Sequence, residues 1–178
     1  MNKLFSFILS FSIGMMIFIP TFSYIKSEKE KYLFPPTVML YPKSPYIECE
    51  RDINCKSLAK VAYYESRNQG DDGMLAVMKV VLNRANHDKW PNDIKVVIFH
   101  KCQFSFTCDG SMNRGIKDTK EWGRSKELAY NLLHGYIDID LMGSTHYHTI
   151  RTHPYWANKF TKTLVIEDHV FYRCTGYC

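Results

Sequence analysis

The chain has 178 residues, room for one modest domain and a targeting segment but tight for two full domains. Hydrophobic residues make up 46% and charged residues 23%, which excludes a disordered tail, a collagen-like fibre and a multi-span membrane protein. Lys and Arg number 23 against 18 Asp and Glu, and the net charge of +5 favours an anionic partner: nucleic acid, acidic lipid or anionic bacterial wall.

Met1-Asn2-Lys3 is a short basic start, and Leu4 to Ile25 then runs without a charge. That stretch is long enough to cross a hydrocarbon core of about 30 Å as a helix. Pro20, Thr21 and Ser23 fit the end of a cleaved signal peptide; retained, the same residues would be a signal anchor in an inner membrane. Both readings export the rest of the chain to the periplasm, the wall or the medium. Residues 26–47 alternate Lys with Glu and then carry Pro35-Pro36, Pro42 and Pro45, which reads as a linker ahead of a compact domain over 48–178. The six cysteines, Cys49, Cys55, Cys102, Cys108, Cys174 and Cys178, all follow the leader, as a disulfide set in an exported protein would. Six thiols allow 15 connectivities, and pairing between sequence neighbours is the simplest of them.

Ser57 is placed to cap a helix from Leu58 to about Arg67, with Gly70 as its stop. Leu58, Val61, Ala62 and Glu65 share one stripe of that helix. A second helix fits Met74 to Ala85 with Met74, Val77, Met78, Val81 and Leu82 inward, and leaves Asp71 and Asp72 on a loop. Trp90-Pro91 breaks the chain, Asp93 to Phe99 fits a short helix, and residues 101–115 read as loop. Asp118 and Glu121 suggest a capping box for a third long helix to about His134, stopped by Gly135. Thr145 to Thr149 alternates as a strand, and Leu164–Ile166 with Val170–Tyr172 suggests a hairpin around Glu167-Asp168-His169. Helices first and strands last predict an α+β domain with about three main helices and a short C-terminal antiparallel sheet.

Glu65 continues an apolar stripe near a helix C-terminus, where burial and the helix dipole both oppose a negative charge. A carboxyl kept protonated in this way suits donation of a proton to a glycosidic oxygen. Pairing with Arg67 or Arg84 would instead make it structural. Lys56, Lys60, Arg67, Lys79 and Arg84 read as a solvated helix surface.

The run Leu58-Ala59 through Tyr63-Tyr64-Glu65-Ser66-Arg67, then Gly73 to Val81 and Leu82-Asn83-Arg84, resembles the opening of the bacterial and phage cell wall hydrolases of the spore-cortex-lytic type. Trp90-Pro91-Asn92, Gln103-Phe104-Ser105, Gly143 to His148, Pro154 to Ala157 and Asp168 to Arg173 resemble the later blocks of that family in the same order. The resemblance implies a lysozyme-related α+β fold and a muralytic, lytic-transglycosylase-like enzyme acting on peptidoglycan, with Glu65 as the catalytic acid. The chain departs from the family at Ser66, at Asn68-Gln69 where Gly-Glu is usual, and at Glu167 where a Gly is usual.

Gln69 in place of a second acid permits a single acid/base, and the resemblance implies a cut between N-acetylmuramoyl and N-acetylglucosaminyl units that leaves a 1,6-anhydro end; hydrolysis stays open if Asp71, Asp72 or Asp109 serves as a second acid. Gln103, Phe104 and Ser105, in a loop pinched by Cys102 and Cys108, and His146, Tyr147 and His148 are the expected substrate contacts. Phe104 and Phe106 are equally suited to the core, and Trp122 and Trp156 better suited to it. No cofactor and no metal are expected, nucleic acid is not, and the chain is expected to act as a monomer. Two alternatives stand beside this reading. One is a zinc amidase or peptidase built on the His146/His148 face with His153 or His169, although no His-Glu-x-x-His motif is present. The other is an inactive wall-binding protein that keeps the fold.

Overall fold

The structure, a computed structural model, describes residues 44–174. The leader, most of the segment read as linker, and Cys178 lie outside the described residues. Among the described residues no helix is long and apolar enough to cross a membrane.

Helix α1 (Pro45–Arg51) starts inside the last three residues of the segment read as linker, with proline in its first turn, where a missing N–H costs nothing. It docks through a buried lysine. Lys126 is 1% exposed, its Nζ lies 3.1 Å from the centroid of the Tyr46 ring, and it donates to Glu50 Oε2 at 3.0 Å. Helix α2 (Ile53–Ser66) begins five residues before the sequence-predicted start. Asp52, not Ser57, is its cap, accepting from Asn54 N at 2.8 Å and Cys55 N at 3.3 Å. The Cys49–Cys55 disulfide closes the corner between α1 and α2. Ser57 is instead an interior, buried helix residue.

Helix α3 (Asp71–Ala85) also starts early, so Asp71 and Asp72 sit in its first turn, where carboxylates complement the helix dipole. Asp71 pairs with Arg124 at 2.5 Å. Two opposite faces of α3 are buried. Met74, Val77, Met78 and Val81 pack into the main helical core, whereas Ala76 and Val80 pack on Leu141 and Phe171 of the sheet side. Arg84 belongs to this interior: it is 4% exposed, a correction to its assignment to a solvated surface. Helix α4 (Ile94–Phe99) is capped by Asp93, as expected, through Val96 N at 2.8 Å.

Helix α5 (Thr119–Leu133) is capped by Asp118, which accepts from Glu121 N at 3.1 Å. The return arm of a capping box is absent; the buried Tyr63 hydroxyl accepts from Asp118 N at 3.0 Å and Lys117 N at 3.1 Å. Gly135 follows with φ +70°, the left-handed stop the sequence predicts.

The sheet has the order β1 (His146–Thr149), β3 (His169–Arg173), β2 (Thr161–Ile166), all antiparallel. The fold is α+β, as predicted. His169 belongs to β3, pairing with Thr149 and Ile166, which leaves Glu167-Asp168 as the turn. The disulfides Cys49–Cys55 and Cys102–Cys108 join sequence neighbours. Cys174 is disulfide-bonded as well.

Candidate active site

Glu65 is the penultimate residue of α2, the helix enclosed by α1, α3, α4 and α5, so its side chain leaves the core at a half-buried position. Burial raises its carboxyl above the ordinary carboxylate range, and the nearby charge of Asp109 adds to that effect. The Tyr147 hydroxyl acts in the opposite sense, donating to Glu65 Oε2 at 3.1 Å. No cation pairs with Glu65 among the described residues, and none of them engages Oε1. Arg67 and Arg84 are both occupied elsewhere, with Arg67 over the ring of Tyr63 and Arg84 between the rings of Trp90 and Phe104.

Tyr147 is fixed in the donor role. Burial, and then the charge of Glu65, push its phenol well above the ordinary tyrosine range, so it stays protonated. Its ring packs edge-on against His169 at 5.0 Å and lies 5.8 Å from Phe171, on the sheet face turned to the helices. His169 is itself buried and held neutral by burial, and its Nδ1–H donates to Gln69 Oε1 at 3.2 Å. Arg84 secures the entry to β1, donating from Nε to the Thr145 carbonyl at 2.7 Å, while its Nη1 is buried without a hydrogen-bond partner. Burial of this guanidinium lowers its pKa to about 10.

Strand alternation turns His146 and His148 to the opposite face. The His146 ring lies among Trp90, Trp156 and Phe160, at 4.5 Å from Phe160, and burial lowers its pKa to about 4. His148 Nδ1–H donates to the Thr149 carbonyl at 2.8 Å, and its Nε2 accepts from the Tyr172 hydroxyl at 3.0 Å, which uses both ring nitrogens. The two imidazoles therefore do not join Tyr147 at Glu65. His169 lies across the sheet from them, His153 bonds Asn158, and no group of three metal-ligating side chains exists among the described residues.

The loop residues divide in the same way. Phe104 is 2% exposed beneath the Arg84 guanidinium, a core residue with no face left for a sugar. Phe106 is equally buried and stacks on Tyr64 at 4.9 Å. Gln103 and Ser105 are exposed, and Ser105 lines a groove of about 670 Å³ together with Tyr64 and Asp109. Lys101 and Cys102 enter this loop with φ of +46° and +54°, a left-handed pair that side chains disfavour.

Three contributors escaped the sequence reading. Arg84 carried a signal, since it extends the buried period of α3. Asp109 was legible as one of three acids able to restore hydrolysis, without a sign of its nearness to Glu65. Glu167 gave a hint, standing where the resembling family has glycine: its φ is +48°, and its carboxylate accepts from Gly70 N at 2.8 Å and Gly73 N at 3.3 Å. A hairpin-turn side chain thus caps α3 from nearly a hundred residues away. A Cβ on Gly70 would meet Glu167 Oε1 at 2.6 Å, so a side chain there would displace the capping carboxylate.

A half-buried carboxyl with no cationic partner among the described residues, near an open groove in an α+β domain, fits a polymer-cleaving class of protein, and the family match narrows that class. The family model described as Cell Wall Hydrolase matches residues 68–172, and the chain belongs to that family. The match begins three residues after Glu65. A curated relative, the spore cortex-lytic enzyme of Bacillus subtilis (strain 168), is 30% identical over 82 residues, 41% of this chain and 27% of the relative. The chain thus spans about a quarter of that relative's length. Two solved structures share the fold at a TM-score of 0.55 and 24% identity: the catalytic domain of the Bacillus cereus SleB protein and that of the germination-specific lytic transglycosylase SleB from Bacillus anthracis. Each alignment covers 67% of this chain, with 89% and 93% of the respective structures.

Proposed function

We propose that the chain is a peptidoglycan-degrading enzyme that cuts the glycan backbone between N-acetylmuramoyl and N-acetylglucosaminyl units by lytic transglycosylation. One observation carries the reading: Glu65 is a carboxyl raised by burial, without a cationic partner among the described residues, and held on one oxygen by the buried Tyr147 hydroxyl. Protonated Glu65 gives its proton to the glycosidic oxygen as the bond to the muramoyl C1 breaks. The Tyr147 donor holds the carboxylate that results. The muramoyl 6-hydroxyl then adds to C1, its proton returns to Glu65, and a 1,6-anhydro end forms with no water consumed. Gln103 and Ser105 are the remaining loop contacts for the substrate. We place the enzyme outside the cytosol as a monomer, at the wall or held to an inner membrane through residues 4–25.

Hydrolysis is the second reading, favoured by one observation: Asp109 is an exposed carboxylate close enough to act on Glu65 through its charge. Asp109 would direct a water to the sugar. Mass analysis of released muropeptides separates the two, because anhydro ends weigh one water less than reducing ends. Digestion of peptidoglycan by Glu65→Gln at the wild-type rate would remove both readings. A zinc amidase finds no support in the histidine geometry, and a binding-only protein gives no reason for a carboxyl raised by burial at this position.

A further inference from the structure

The groove beside Glu65 has a chemical character of its own. Arg67, Arg114, Lys117 and Lys120 all line it, over a floor that includes Tyr64 and Phe106. None of the four cations forms an ion pair among the described residues. Burial raises the Tyr64 phenol while the charges of Arg114 and Arg67 act against that rise, which puts both guanidinium groups near the ring's polar end. Two carboxylates share the wall, each holding a local backbone hydrogen bond while keeping its charge. Asp109 accepts from Ser111 N at 2.7 Å, and Asp118 caps α5 through Glu121 N at 3.1 Å. The groove therefore carries four cations against two carboxylates, a net positive lining, and Asp109 lies close enough for its charge to act on Glu65.

We propose that this groove binds the free carboxylates of the peptide stems on the muramoyl residues, so that the substrate is stem-bearing glycan with ionised stems. The inference rests on the glycan-cleaving reading above and adds to it the part of the substrate that is not sugar. Separated side-chain cations suit carboxylates spaced along a peptide, and the aromatic floor suits flat amide planes. A phosphate-bearing wall polymer fits less well. Three of the backbone N–H groups around the start of α5 are taken, Lys117 N and Asp118 N by Tyr63 and Glu121 N by Asp118, which leaves fewer to cradle a phosphate.

The test measures binding without cleavage, using the full chain with Glu65→Gln in detergent and soluble stem-bearing glycan fragments as ligand. The same fragments with their stem carboxylates converted to amides form the second arm. Amidation is expected to weaken binding about tenfold or more, and raised salt to narrow the gap. Arg114→Glu with Lys117→Glu, both exposed positions, is expected to lose the same factor, with no further loss on amidation. Should that double variant fail to fold, the two ligands still decide the matter on its parent. Equal affinity for the two fragments, binding to neither, or binding that follows an added phosphate-bearing polymer overturns the proposal. Preference for ionised stems with no glycan cleavage by the wild-type chain would sink the enzymatic reading alone; cleavage with no such preference would sink the groove alone.

Discussion

Two faces of one short strand, His146–Thr149, behave as two different materials. On the helix side Tyr147 is committed to Glu65, with His169 and Phe171 against its ring. On the far side His146 and His148 are absorbed into a satellite core with Trp156, Phe160 and Tyr172. A polar aromatic on the first face hydrogen-bonds the candidate acid, while two neighbouring imidazoles on the second serve packing. Side-chain type does not separate them; the period of two does.

The comparison breaks most visibly at Glu65. Glu65→Gln should leave peptidoglycan undigested, a loss of about a thousandfold or more in clearing rate. Its stability should show the linkage sign. A carboxyl raised in the fold favours the folded state most below its unfolded pKa, and that contribution disappears as pH climbs through the folded pKa. Thermal melts should therefore find Glu65→Gln gaining on the wild type as pH rises from the acid range to neutrality. An opposite trend would mean that Glu65 is held as an anion.

Tyr147→Phe comes next, with an expected loss of about ten- to a hundredfold in rate. Removing the donor raises Glu65 further, so the alkaline limb of the pH profile should move to higher pH; an unmoved limb would detach Tyr147 from the acid. On the other face, His146→Asn should shift no limb of the activity profile. His146 is lowered from 6.5 to about 4, so the unfolded chain binds the extra proton and stability falls as pH drops through that window. The variant should flatten that fall in thermal melts. Smallest is Glu167→Ala, expected to cost about 1 kcal/mol in denaturant unfolding through the lost cap on α3.

What the sequence made legible follows from the range of each interaction. Strand alternation, the caps Asp93 and Asp118 and the inward stripe ending at Glu65 are local patterns, and they stand where the pattern puts them. Tyr147 was a candidate from the sequence, but its hydrogen-bond partner Glu65 lies 82 positions away, and no spacing rule connects them. Arg84 and Phe104 were misplaced for a single reason. A helix buried on two faces leaves no solvated stripe for Arg84, and its guanidinium then takes Phe104 as a neighbour. The early start of α2 escaped because Asp52 caps it at a disulfide-closed corner, where tertiary closure overrides a plausible Ser57 signal.

That corner has a mechanical consequence. Any pull on the chain ahead of Pro45 reaches the Cys49–Cys55 bridge and the Lys126 clamp before it reaches the rest of α2. Load is shed into a covalent loop and onto α5, ten residues short of the acid. Were the chain held from its front end, as proposed, strain would meet that shoulder before it met Glu65.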